Sequence, residues 1–388
     1  MNNFNFYAPT YFAFGKGKEA EVGALVKRFG GSKVLIHYGG GSVKKNGVFD
    51  KVVKSLDHMN IPYVELGGVK PNPRSGLVYE GIDLCRKENV DFILAIGGGS
   101  AIDSAKAIAM GVPYDGDFWD YYSKGIPVEK ALPVGTVLTI SAAGSEGSSG
   151  SVITHEESML KWSAGGDVVR PKFSILNPEF TCTVSPYQTA CGITDIMIHV
   201  FERYFTNTKD VEITDRLCEG LLKAMIEEGP KAMKDLGNYE ARANIMWAGM
   251  IAHNNILGVG RDQDWATHNI EHELSALYDC AHGAGLAVIA PAWMKYVYKH
   301  DINRFAQFAV RVWGCDMNFS NPETTALEGI ARFEQFLKSI GMPTSFKDLG
   351  AKEEDIPFMV KQLCKRPSVG SFVKLNANDI ESIYKLAL

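Results

Sequence analysis

Apolar residues in the first half of the chain come in short, nearly unbroken runs of strand length at 33–38, 63–66 and 92–96. Between them, at 49–59 and 76–88, apolar positions recur every three or four residues. The first pattern suits strands buried on both faces and the second suits amphipathic helices. Their alternation predicts an α/β domain with a parallel, Rossmann-like sheet covered on both sides. A further run at 133–140 and a hairpin at 151–163 extend the same half. Upstream, Asn5 to Phe14 alternates aromatic residues and ends in Gly15-Lys16-Gly17, which reads as an edge strand with no obvious partner in its own chain. From Ser185 the character changes. Ser185, Pro186 and Gln188 form a helix start with proline at the first helical position. Beyond it the patterns at 210–228, 240–254, 266–278, 286–298, 302–312, 324–340 and 355–363 are all helical. Two domains are expected, 1–184 and 185–388, the second all-α.

Composition narrows the possible partners. With 46% apolar residues in 388 there is ample material for a core, and a net charge of −5 provides no basic surface for nucleic acid or anionic membrane. The longest apolar runs, such as 285–294, are too short to span a bilayer, and the N-terminus lacks the basic-then-apolar order of a signal peptide. The seven cysteines are scattered, odd in number and never spaced as a metal knuckle, so reduced thiols in a cytoplasmic protein are expected.

Two glycine clusters directly follow predicted strands. Gly97-Gly98-Gly99-Ser100 opens a helix at 101–110, where free amides let a pyrophosphate approach. A plain tight turn is the competing reading, and the spacing does not match Gly-x-Gly-x-x-Gly; Asp103 and Lys106 in the first turns favour a dinucleotide. Gly39-Gly40-Gly41-Ser42, followed by Lys44 and Lys45, lacks the acid that an NAD-specific protein places on the ribose. Its amides, hydroxyl and lysines suit a 2′ phosphate, so NADP(H) is expected, with NAD(H) possible.

Five of the nine histidines fall between Asp195 and His282. Asp195 and His199 are one helical turn apart; His268 lies on the 266–278 helix and His282 in the break after it, ahead of Gly283. Three imidazoles and a carboxylate suit Fe(II), Zn(II) or a similar ion. By spacing alone an ordinary interior pair at Asp195 and His199 stays equally open. His272, one turn beyond His268, reads either as a proton relay or as a helix histidine bonded to a neighbouring carbonyl. Asp264 and Trp265 precede the same helix and are expected to shape the pocket.

These four positions, with Gly97 to Ser100 upstream, resemble the iron-containing (type III) alcohol dehydrogenase family, most closely its butanol dehydrogenase and NADPH-dependent aldehyde reductase branch. The resemblance covers essentially the whole chain. It implies a dehydroquinate synthase-like fold: an N-terminal dinucleotide-binding domain facing, across a cleft, an all-α metal-binding domain. Asp195, His199, His268 and His282 would be the ligands. The Gly97 turn would hold the pyrophosphate, Thr139 and Ser141 would lie on the adenine and ribose side, and Lys161 would reach toward the ribose or phosphates. The N-terminal strand would pair across a homodimer. Many members carry Asp-Pro where this chain has Asn177-Pro178. The implied activity is hydride transfer between NADP(H) and a primary alcohol or aldehyde such as butanol or butanal. Three rivals remain. Glycerol-type dehydrogenases share the plan but differ in ligand set. A metal phosphohydrolase would rest on His300-Asp301, which stands alone. A non-catalytic metal-binding module would not oxidise NADPH.

Overall fold

The computed structural model describes residues 1–388. Six strands form one parallel sheet: β1 (Tyr11–Phe14), β2 (Val34–Gly39), β3 (Tyr63–Val69), β4 (Phe92–Gly97), β5 (Val134–Leu138) and, after the antiparallel hairpin of β6 (Gly150–His155) and β7 (Leu160–Gly165), β8 (Phe173–Leu176). Their order is β1-β8-β5-β4-β2-β3. Alternate residues of each strand feed different cores. Val34, Ile36, Phe92, Leu94 and Ile96 pack with helices Val22–Arg28 and Val48–His58, whereas Leu35, Ile93 and Ala95 pack with Ser75–Glu88 and Gly99–Gly111. Burial on both faces is why these strands read as unbroken apolar runs. The chain leaves β2 in one direction, to β3, and returns to lay β4 on its other side, so the strand order reverses between β2 and β4. The carboxyl ends of two such neighbours form the natural ligand crevice of an open α/β sheet. Both glycine clusters stand there.

The N-terminal strand differs from expectation. Only residues 11–14 are extended, and they pair with β8 in the same chain, because β8 is otherwise an edge with open hydrogen-bonding groups. Residues 5–10 belong to no strand.

The chain divides into two compact units, Tyr7–Val184 with Gly237–Asn254, and Met1–Phe6 with Ser185–Leu236 and Asn255–Leu388. Two segments therefore lie on the other side of the expected 184/185 division. Met1–Phe6 joins the helical unit because the Asn2 amide donates to the Gly260 carbonyl at 2.8 Å and the Met1 ammonium to the Lys209 carbonyl at 3.1 Å. Helix Tyr239–His253 joins the sheet unit: Trp247 meets Phe12 and Phe14 edge-on at 5.9 and 5.8 Å.

The helical unit is built around Pro186–Tyr204, buried from Thr189 onward, polar residues included. Ser185 caps it, accepting from the Gln188 amide at 3.3 Å. A helix buried on all sides is a central element. Ala266–Tyr278 and His282–Val297 pack against it. His282 is the first residue of its helix, not part of a break. Gly283 is needed there because a Cβ would lie 2.1 Å from the Cys191 carbonyl of the central helix. No helix is long and apolar enough to cross a membrane.

Candidate active site

In the sheet unit, β2 and β4 lie side by side in register, Tyr38 against Ile96, so Gly39–Ser42 and Gly97–Ser100 leave the sheet together. Gly41 takes φ 102°, a left-handed conformation, and nothing lies within 4 Å of where its Cβ would stand. Cβ atoms on Gly98 and Gly99 would meet the Ile140 and Ala143 side chains at 3.1 Å. The second turn is therefore glycine-rich partly to admit the segment after β5, which the Thr139 amide ties down by donating to the Gly97 carbonyl at 2.9 Å. The Ser141 hydroxyl is buried without a hydrogen-bond partner.

Three of the expected cofactor side chains already have internal duties. Asp103 accepts from the Ser145 hydroxyl at 2.5 Å and the Val152 amide at 3.0 Å. Lys161 is buried in the hairpin and donates to Asn72 at 2.9 Å, so it is not a solvated lysine. Lys44 pairs with Glu65 of β3 at 2.6 Å, and that carboxylate raises its pKa. Asn177 has a definite role: its amide donates to the buried Glu19 carboxylate at 3.1 Å while its carbonyl accepts from the Glu179 amide at 3.1 Å. An aspartate there would set two carboxylates against each other.

In the helical unit, three of the four expected ligands converge. One oxygen of Asp195 and one nitrogen each of His268 and His282 all lie within 4.8 Å of one another. The Nε2 atoms of His268 and His282 stand 3.6 and 3.8 Å from Asp195 Oδ1. His268 Nε2 is buried without a hydrogen-bond partner at normal length, and the buried Asp195 Oδ1 has His199 Nδ1 2.9 Å away. His199 lies beside this set. Its ring centroid is 4.4 Å from that of His268, and its Nδ1 donates to the Asp195 carbonyl at 2.9 Å, leaving Nε2 as the acceptor. His272 belongs to a second group, with Glu271 and His282, and the Arg366 guanidinium approaches its Nδ1 at 3.5 Å.

Two glutamates that sequence reasoning missed hold the rings. Glu202 accepts from His268 Nδ1 at 2.7 Å, from the His268 amide at 3.1 Å, from the Trp265 amide at 2.7 Å and from the Thr267 hydroxyl. Glu271 accepts from His282 Nδ1. Each bond occupies Nδ1 and turns Nε2 toward Asp195, as carboxylates behind metal-binding histidines do. Their only signal in the sequence is helical spacing, seven residues after Asp195 and three after His268. Trp265, at φ 68°, closes one side, its ring 5.4 Å from His268 under the Arg203 guanidinium. Asp264 clamps a loop, accepting from the Ser371 and Phe372 amides at 2.6 and 2.7 Å.

Charge follows this geometry. Burial tends to raise the Asp195 pKa, but His199 and His282 outweigh it and hold the carboxyl well below the usual range. Burial pushes His199 down to about 4. For His268 burial acts downward too, yet the Asp195 carboxylate beside its Nε2 and the Glu202 carboxylate bonded to its Nδ1 lift it to about 9. A desolvated carboxylate facing the Nε2 atoms of two histidines suits a divalent cation, which would take the place of the proton between them.

Comparison with known proteins covers both units. The family model for iron-containing alcohol dehydrogenase matches residues 9–178, and that for the C-terminal domain of the Fe-containing alcohol dehydrogenase family matches 189–388. The chain is 44% identical over 388 residues to NADH-dependent butanol dehydrogenase A of Clostridium acetobutylicum, covering 99% of each. It is 39% identical over 369 residues to an NADPH-dependent aldehyde reductase of Escherichia coli, covering 94% of this chain and 93% of the other. Among solved structures, NADH-dependent butanol dehydrogenase A of Thermotoga maritima superposes with a TM-score of 0.97 at 42% identity, covering 100% of this chain and 99% of that one.

Proposed function

The chain belongs to the iron-containing alcohol dehydrogenase family and is an oxidoreductase working with a divalent metal and a nicotinamide cofactor; from that premise we propose that it interconverts primary alcohols and aldehydes of about butanol size, with NADP(H) preferred. Residues 1–184 would carry the cofactor and 185–388 the metal, the exchanged segments aside. Asp195, His199, His268 and His282 would hold Fe(II) or Zn(II). The observation that carries this reading is the convergence of the buried Asp195 Oδ1 with Nε2 of His268 and of His282, at 3.6 and 3.8 Å, with His199 beside them. When bound, the metal supplies Lewis acidity at the substrate oxygen and the cofactor supplies or accepts the hydride.

The chain's own groups do the rest. Glu202 and Glu271 fix the ring tautomers, and Trp265 shields His268 from water. His272 would pass the proton to or from the alcohol oxygen, standing one turn beyond His268 in the group with Glu271 and His282 and with the Arg366 guanidinium at its Nδ1. At the switch point the amides of Gly97 to Ser100 would face the pyrophosphate, with Thr139, Ser141 and Lys161 beside them. Gly39 to Ser42 would meet the 2′ phosphate. One observation favours NADH instead: Glu65 engages Lys44 and takes a bond from the Tyr38 hydroxyl at 3.0 Å, so that lysine's charge is already shared. Lys45 and the turn amides still carry the preference for NADP(H). A cytoplasmic homodimer is proposed as the working form, with the scattered, odd-numbered set of seven cysteines as the ground for the compartment.

One experiment tests site and chemistry together. Metal content is measured alongside butanal reduction with NADPH and NADH, before and after chelation and again after adding Fe(II) or Zn(II). Activity should vanish with the metal, return with it, and show the higher kcat/KM with NADPH. Full activity in metal-free protein would end the reading.

A further inference from the structure

Lys106 is fully buried, one turn after Asp103 on the helix that Gly97–Ser100 opens. Its ammonium donates to the carbonyls of Ser145, Ser148 and Gly150 at 2.7, 2.9 and 2.8 Å, and to the hydroxyls of Ser145 and Ser148 at 2.9 and 3.3 Å. The carbonyls between these are occupied as well. Arg170 donates to Gly147 at 2.9 Å, the Ser174 hydroxyl to Glu146 at 2.7 Å and the Gly166 amide to Ser149 at 3.0 Å. Six consecutive carbonyls, from Ser145 to Gly150, thus turn inward onto two buried cations, a hydroxyl and an amide. Asp103 adds its bonds to Ser145 and Val152.

Such a loop is held by charge rather than by apolar packing. A buried ammonium is costly unless nearly every proton finds an acceptor, and this one is over-supplied, with Asp103 and Glu146 balancing its charge. The loop continues the Thr139–Ala143 segment that packs on Gly97–Gly99.

We propose that Lys106 is a positioning residue for cofactor binding: it touches no ligand itself but fixes the 139–150 segment as a rigid wall beside the glycine turn. The inference rests on the cofactor reading of that turn. Asp103, expected from sequence to contact the cofactor, acts in the same tether.

The test is Lys106→Met in the full-length, metal-loaded enzyme, a change close in shape without the charge. NADPH affinity, read as fluorescence and as KM, should weaken roughly tenfold or more, while kcat at saturating cofactor and metal content stay within about twofold. Amide exchange across 144–152 should quicken by a similar factor. Lys106→Ala should regain affinity when propylammonium is supplied, and not when tetramethylammonium is supplied at equal ionic strength. Should Lys106→Met fail to fold, the milder pair Ser145→Ala with Ser148→Ala carries the same expectation. Native NADPH affinity in a folded variant, or slow exchange across 144–152, would overturn the role of Lys106. Wild-type protein that binds neither NADPH nor NADH would instead overturn the cofactor reading itself.

Discussion

His268 donates its Nδ1 proton to Glu202, and that bond decides which nitrogen is left to face Asp195. A second, independent carboxylate does the same for His282. Spacing alone left a metal site and an ordinary interior pair equally open, and the family resemblance singled out the four candidate ligands; the glutamates behind them were not legible, because a glutamate on a helix normally faces water and only its burial tells it apart. We expect His268→Ala to lose nearly all bound metal and turnover while circular dichroism stays native, since Glu202 keeps its bonds from Trp265 and Thr267. Normal metal content in that variant would remove His268 from the site. A different histidine sets a pH dependence of stability. His37 is buried in β2, its Nδ1 donating to the Leu66 carbonyl at 2.9 Å and its Nε2 accepting from Ser104 at 2.8 Å. Burial lowers its pKa from 6.5 to about 4. Between those values the unfolded chain holds the proton and the folded chain does not. The stabilisation is therefore full above pH 6.5 and is lost as pH falls toward 4, by roughly 3 kcal/mol in all at about 1.4 kcal/mol per unit. Urea midpoints of the wild type and His37→Gln should converge as pH drops from 7 to 4.5; parallel curves would disprove it.

At the scale of elements, β2 to β5 were readable as unbroken apolar runs and the 266–278 helix by its period, whereas β8 was not read and β1 was read too long. The start of His282–Val297 was not readable either, since Gly283 and Gly285 look like a break and are in fact contact residues. A Cβ on Gly285 would lie 2.5 Å from Glu271 Oε1, so both glycines let the helix reach its neighbours. The consequence is geometric: His282 sits at the point of closest approach to the central helix that carries Asp195. Gly283→Ala forces backbone against backbone, which no rotamer can relieve, and should move the two helices apart. We expect a stability loss of about 1–3 kcal/mol together with at least a tenfold weaker metal affinity, read by denaturation and by metal titration. Unchanged metal affinity would mean that His282 is not held by this contact.

At the scale of the whole molecule, sequence periodicity could not reveal which unit a segment joins, because Met1–Phe6 and Gly237–Asn254 are assigned by contacts far away in sequence. The same limit applied to β1, whose partner β8 lies some 160 residues later. A dimer is favoured not by a strand lacking any partner but by the edge that remains after β8 has paired. That edge is unpaired on its outer side, with Tyr11 and Phe14 partly exposed on it and Tyr7, exposed at 58%, preceding it. An exposed apolar edge is a liability unless something covers it, and a second copy of the same edge supplies both the hydrogen-bonding groups and the aromatic surface to do so. We expect light scattering to give about twice the 42.6 kDa of one chain. Lysine at both Tyr7 and Tyr11 should place like charges across the shared edge and shift the protein toward the monomer on dilution, with the sheet intact by circular dichroism. A monomer in the intact protein at micromolar concentration would show that the edge is protected in some other way.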